Sequence, residues 1–230
     1  MTGPPAYPLA LAVEDFVPVV LTAAGVITLR RFGEPGDAAT AGRGRLGHRS
    51  GALIVLAGVL IGLGGLGKAG WKLIVALGGP DLPWLENLLF PLLTLGFGLL
   101  CLVLATIRSG TTPRWLAWLV PLLTLTCAAG ALAAGRTIPL LVSTTVFCTI
   151  SGVYLILAAL DRGDTLSAGL IGVQLLGFFV LSPLAARPDQ SVTLQWVEQL
   201  CNTAAQAAFL AASVRLARAG RTGTQPEEVA

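Results

Sequence analysis

Residues 87–107 read NLLFPLLTLGFGLLCLVLATI, twenty-one positions without one charged side chain. At about 1.5 Å of rise per residue, a helix of that length spans about 30 Å, the thickness of a bilayer's hydrocarbon core. An apolar run this long has no use in a small water-soluble domain, where a helix keeps one face polar. Three more stretches are charge-free over comparable lengths, 115–135, 137–160 and 165–186. Working outward from these, the spans are read at 9–29, 50–71, 84–107, 115–135, 137–160, 165–186 and 192–216, seven in all.

The whole composition agrees. Apolar residues make up 54% of the 230 positions, glycine adds 28, and only 12% are charged. Soluble domains average about a quarter charged. Mean hydropathy is +0.79. Disorder, nucleic-acid binding and a disulfide-stapled fold are excluded, since they require high net charge, a basic surface or clustered cysteines. The four cysteines, Cys101, Cys127, Cys148 and Cys201, are isolated within spans and read as small apolar fillers.

The fold class is therefore all-α, a polytopic membrane protein with seven transmembrane helices. The expected organisation is a short outer amino terminus at 1–8, one membrane domain at 9–218 containing a linker at 33–49, and a disordered cytoplasmic tail at 219–230. Residues 1–13 hold no basic residue and acids interrupt the first span, so it is not read as a cleaved signal. Arg30, Arg31, Arg43, Arg45, Arg49, Arg108, Arg114, Arg162, Arg215, Arg218 and Arg221 fall on one side of the spans. Only Lys68, Lys72, Arg136 and Arg187 fall on the other. The positive-inside rule then places the protein in the plasma (cytoplasmic) membrane with its amino terminus outside and its carboxyl terminus in the cytoplasm. All five tryptophans sit near predicted span ends, as headgroup-level indoles should.

Two halves of the chain share a register. Trp84-Leu-Glu86-Asn87-Leu88 matches Trp196-Val-Glu198-Gln199-Leu200, continuing to Phe97 with Phe209, Leu104 with Leu216 and Ala105 with Ala217. Gly25-Val26 matches Gly152-Val153, and Leu53-Ile54 matches Leu170-Ile171. The matches are collinear and imply a 3+1+3 parallel repeat joined by span four. That order is similar to the topology of SWEET-type and vitamin-uptake transporters, whose parallel repeats enclose a substrate site near the midplane. The resemblance is one of topology; the Pro-Gln pair of the SWEET spans is absent.

Polar residues inside the spans are the main functional clue, because each costs about 2.5 kcal/mol or more at the bilayer centre. Glu14 and Asp15 lie in span one, Glu86 and Asn87 at the start of span three, and Glu198, Asn202 and Gln206 along span seven. Glu198, Asn202 and Gln206 follow one another at i, i+4 and i+8 and so form one stripe. These seven residues are the expected solute-binding set, with Glu14 and Glu198 as opposed walls and Asp15, Glu86 and Asn87 at the rim. Asp15 points about 100° away from Glu14 on a regular helix. Lys68 and Lys72 read as side chains snorkelling to the headgroups. Pro18, Pro91 and the glycines of span two supply hinges.

Other chemistry finds no base. GLGGLGKA at 62–69 lacks the Ser or Thr and the preceding strand of a phosphate-binding loop, and the last span lacks the lysine of a retinal pigment. His48 is the single histidine and lies in the linker, so no metal ligand set, catalytic residue or cofactor is expected. Small residues at spacing four, such as Gly58 with Gly62 and Ala204 with Ala208 and Ala212, allow close packing within the bundle or in a homo-oligomer. The expected function is binding or transport of a small polar solute, with cations among the candidates, in the outer half of the bundle, not enzymatic, with the lipid bilayer as surroundings. The alternative is a non-transporting subunit or receptor-like protein with a cytoplasmic partner; a lipid-modifying enzyme ranks third.

Overall fold

Length, glycine and proline divide the chain into seven helical rods. The computed structural model describes residues 8–33, 41–185 and 191–222. α1 (Leu9–Glu14) and α2 (Phe16–Thr28) form the first rod, closed by a 3-10 turn over Leu29–Gly33. α3 (Ala41–Ala76) is the second, and α4 (Pro83–Asn87) with α5 (Leu89–Ser109) the third. α6 (Arg114–Ala134), α7 (Ile138–Leu160), α8 (Thr165–Ala185) and α9 (Val192–Thr222) complete an all-α bundle. Five rods, Leu9–Arg31, Arg49–Ala76, Pro83–Ser109, Arg114–Ala134 and Ile138–Leu160, are long and apolar enough to cross a membrane, and α8 adds a shorter apolar stretch at Thr165–Leu181. α9, which carries the polar stripe, is not among them.

Boundaries differ from the sequence reading at both ends of α3 and at the end of α9. α3 starts at Ala41, so the second half of the expected 33–49 linker is helical, and α9 continues four residues into the expected tail, to Thr222. Once a helix is nucleated, each added residue gains a hydrogen bond at little cost, so a span extends into its arginine-bearing flanks. The segment before Pro8, the tail beyond Thr222 and Arg187 lie outside the described residues.

The first and third rods break in the same way. Pro18 and Pro91 have no N–H and crowd the carbonyl four residues back, which is Glu14 in one rod and Asn87 in the other. α1 ends at Glu14 and α4 ends at Asn87. Asp15 and Leu88, each three residues before its proline, are the break points. Pro121, by contrast, lies within an unbroken α6. Gly135 ends α6 in the left-handed region at φ 61°, and the following Arg136 N–H returns to Ala131 O at 3.1 Å.

Packing closes six rods into a ring. α2 touches α3 and α9, α3 packs on α5, α5 on α7, α7 on α8, and α8 on α9. α6 lies outside, against α5 and α7. Only 17% of its most apolar window is buried, against 44% for the third rod and α7. Exchanging the first three rods for the last three leaves the neighbour relations unchanged. The α2–α3 contact becomes α7–α8, α3–α5 becomes α8–α9, and α5–α7 becomes α9–α2. Residues paired by the sequence register share burial at Ile54 and Ile171, Leu104 and Leu216, Ala105 and Ala217, and Gly25 and Gly152. Val26 and Val153 do not, since Val153 is 45% exposed.

Close approaches replace bulk where rods cross. A Cβ on Gly96 of α5 would stand 3.0 Å from Ala57 O and 2.6 Å from Ile61 Cγ1 of α3. One on Gly64 of α3 would stand 3.0 Å from Leu89 O, directly beside the α4–α5 break. The glycines of the 62–69 stretch therefore serve helix contact inside an unbroken α3. Between α5 and α7, the buried Thr94 hydroxyl lies 3.0 Å from that of Ser143 and 2.9 Å from that of Thr144, and Thr94 and Ser143 both reach Leu140 O, at 3.0 and 2.9 Å.

One end of the bundle is rich in arginine. There Arg108 of α5 pairs with Asp161 after α7, and Arg215 Nη2 of α9 lies 2.9 Å from Asp164 Oδ1. Asp164 caps α8, accepting the Ser167 N–H at 3.1 Å and its hydroxyl at 2.6 Å. The Arg215 and Ser167 bonds hold the Asp164 carboxyl down at about 2. Arg162 donates to Leu216 O at 3.2 Å, tying the α7–α8 turn to α9. Inward of this end, Val26, Ile54, Leu104, Leu155, Ile171 and Leu216, one from each ring rod, belong to a single apolar cluster.

Candidate functional site

The ring surrounds a cavity of about 470 Å³ on the side away from the arginine end, beyond the apolar cluster, which plugs the ring between them. All six ring rods line it and α6 does not. On α3 its lining runs from Lys72 and Trp71 near the mouth to Ile61, about 15 Å deeper at 1.5 Å per residue. Five charged side chains, Asp15, Lys68, Lys72, Glu86 and Glu198, and five amides, Gln174, Gln195, Gln199, Asn202 and Gln206, face it. Apolar surface comes from Leu89, Leu93, Phe97 and Phe178 among others.

α9 supplies a whole wall. Its stripe of Gln195, Glu198, Asn202 and Gln206 all lines the cavity, as helical spacing requires, and Gln199 joins it. Gln206 reaches both neighbours: its Nε2 donates to Asn202 Oδ1 at 3.3 Å, and its Oε1 lies 3.0 Å from Thr22 Oγ1 of α2. Thr22 is also 2.7 Å from Pro18 O, one of the carbonyls beside the first break. Its single hydroxyl proton serves one of these acceptors at a time. Glu198 Oε1 is buried with no hydrogen-bond partner among the described residues.

The two acids of the first rod exchange the places expected of them. Asp15 lines the cavity, and Lys72 Nζ stands 2.5 Å from its Oδ2. Glu14 does not line it; its Oε1 accepts the Thr203 hydroxyl of α9 at 2.5 Å. The expected opposition of Glu14 and Glu198 across the cavity is therefore replaced by an interhelical bond on the α1–α9 contact. Successive helical side chains leave the rod about 100° apart, so with Asp15 on the cavity Glu14 turns to α9. Glu86 lines the mouth, whereas Asn87, the last residue of α4, is exposed and outside the lining.

Lys68 and Lys72 also depart from the snorkelling read from sequence, because both face the cavity. α3 runs five residues past the expected end at Trp71, to Ala76, which sets the two lysines one or two turns inside the rod. The mouth is braced by Trp71 Nε1, which donates to Asp81 Oδ1 at 2.8 Å. Gln174 was not among the expected residues. It is 6% exposed and reaches the cavity from α8, and its signal was available as the one amide in the charge-free 165–186 stretch. Cys148 of α7 is buried beside it on the cavity wall, and all four cysteines are free.

Compared with known protein families, with curated proteins and with solved structures, the chain matches none, so the cavity is read from its own residues.

Proposed function

We propose that the chain is an integral membrane protein that binds a small polar solute in the ring cavity and moves it across the bilayer. One observation carries this reading: ten charged or amide side chains from five of the ring rods converge on one volume of about 470 Å³ inside an otherwise apolar bundle. Polar side chains held merely as helix glue would be spread along contacts rather than gathered around open space. With the arginine end in the cytoplasm, the mouth faces outside. Passage then requires the apolar plug and the Arg108–Asp161 and Arg215–Asp164 pairs to part, while the Asp15 and Leu88 breaks let α1 and α4 move against α2 and α5.

The test is a thermal-shift screen of the purified protein against amines, amino acids, sugars, nucleosides and vitamins, beside Glu198→Gln. A ligand that binds only the folded state stabilises it by about 2.7 kcal/mol at a hundred times its Kd. Saturable stabilisation by one solute class, lost in Glu198→Gln, is expected, and the same solute should then enter proteoliposomes. No stabilisation by any class, with the variant less stable than the parent, would overturn the solute reading in favour of polar residues that only knit the bundle.

A further inference from the structure

The charges on the cavity wall do not cancel one another in place. Asp15 and Lys72 form a pair at 2.5 Å. Lys68, one turn deeper on α3, makes no ion pair within 4.0 Å among the described residues, although Asp15, Glu86 and Lys72 all act on it through space. On α9, another wall of the cavity, Glu198 makes no ion pair among the described residues, and its Oε1 is buried with no hydrogen-bond partner among them. α3 and α9 are not neighbours in the ring; α2 stands between them. A lysine that Asp15 and Glu86 reach only through space, without an ion pair among the described residues, and a carboxyl with an unpartnered buried oxygen thus stand on separate walls of one cavity.

Desolvated charge without a partner is costly, and the cost is relieved by a ligand that brings the opposite charge. A simple cation would satisfy Glu198 and leave Lys68 with only the more distant Glu86 and Asp15, and a simple anion would pair with Lys68 and leave Glu198 unmatched. A neutral sugar would satisfy neither fully. We propose that the solute is a zwitterion of the amino-acid class, its ammonium held at Glu198 and its carboxylate at Lys68. The amides of α9, above all Asn202 and Gln206, are placed to take the remaining hydrogen bonds, and Phe97 and Phe178 offer apolar surface for a side chain. This assignment rests on the solute-binding reading above and narrows it.

The test compares matched triplets on the intact protein in nanodiscs by calorimetry: leucine, isoamylamine and isocaproate, then phenylalanine, phenethylamine and 3-phenylpropionate, with alanine, ethylamine and propionate as the smallest set. A hydrogen bond to a charged group is worth enough that losing either charge should weaken binding about 10- to 100-fold. The expected result is that in at least one set the amino acid binds that much more tightly than both its amine and its acid. Lys68→Met should then abolish the preference for amino acid over amine, and Glu198→Gln the preference over acid, with Lys68→Arg restoring the first. The triplet comparison needs no variant, so a folding defect cannot mask the answer. An amine or an acid that binds as tightly as its amino acid would overturn the assignment. Binding by sugars, nucleosides or vitamins with none by any triplet would overturn it while leaving the solute site standing. Silence from every class would overturn the solute reading itself.

Discussion

Thr203 of α9 donates its hydroxyl to Glu14 Oε1 of α1 at 2.5 Å, across 189 positions of sequence, while Glu14 Oε2 is buried with no partner among the described residues. One carboxylate therefore spends half of its bonding capacity on holding the first and last rods together. Thr203→Val would leave that carboxylate unmatched, and an unsatisfied buried group costs about 1–3 kcal/mol. Thermal unfolding in detergent should show Thr203→Val below wild type and the double variant Glu14→Leu/Thr203→Val above the Thr203→Val single. A double variant no more stable than that single would mean the bond carries no weight.

Lys72 and Asp15 make a second such pair, only 20% and 11% exposed, between α3 and the break of the first rod. Removing one member of a pair so placed leaves a bare charge, and costs more than removing both. Lys72→Met and Asp15→Asn are each expected to lower the unfolding temperature, and the combined variant to lie above the Lys72→Met single. A double variant at the sum of the two losses would show that the residues do not act on one another.

Gly96→Ala and Gly169→Ala separate packing from propensity. The added methyl at Gly96 meets Ala57 O at 3.0 Å and Ile61 Cγ1 at 2.6 Å, whereas nothing lies within 4 Å of one at Gly169. Overpacking costs about 1–3 kcal/mol. Alanine in an open helical position is worth about 0.5–1 kcal/mol over glycine. The first variant should unfold at lower temperature and the second at equal or higher temperature. Equal losses at both sites would remove the close α3–α5 crossing as the cause.

Asp164 ties stability to acidity at the arginine end. Its carboxyl sits at about 2, below the ordinary 3.8, chiefly through its bond to Arg215 and then those to Ser167. A depressed folded value means that the stabilisation is full above about pH 4 and fades as pH falls toward 2. Wild type should lose unfolding temperature over that window, and Asp164→Asn should start lower at pH 7 and change less between pH 4 and 2. Parallel curves for the two proteins would sink the assignment.

Most of the fold was legible because a bilayer imposes a length. The charge-free stretches at 115–135, 137–160 and 165–186 became α6, α7 and α8 to within three residues. The polar stripe of α9 was equally legible, since 3.6-fold spacing is fixed by the backbone and put Glu198, Asn202 and Gln206 on one cavity wall. What misled was the facing of the first rod: the spacing sets Glu14 and Asp15 about 100° apart but does not say which of them turns to the cavity, and it is Asp15. The lysines were misplaced because the span was ended at Trp71, whereas the apolar run continues to Leu77 and α3 with it to Ala76. Asn87 followed Glu86 into the expected set by adjacency alone, and the second break leaves it outside.

The position of α6 outside the ring answers a question of parity. A unit of three rods enters on one face of a membrane and leaves on the other, so a second unit joined directly to it would start from the opposite face and run upside down. On the membrane-spanning reading proposed above, one additional crossing restores the starting face, and α6 has the length and apolar composition to supply it. Its sequence is thereby released from the demands that fix the other six: it must be long enough and oily enough, and little else. The ring depends on α6 as a written line depends on the carriage return, for where the next line begins and not for any letter in it.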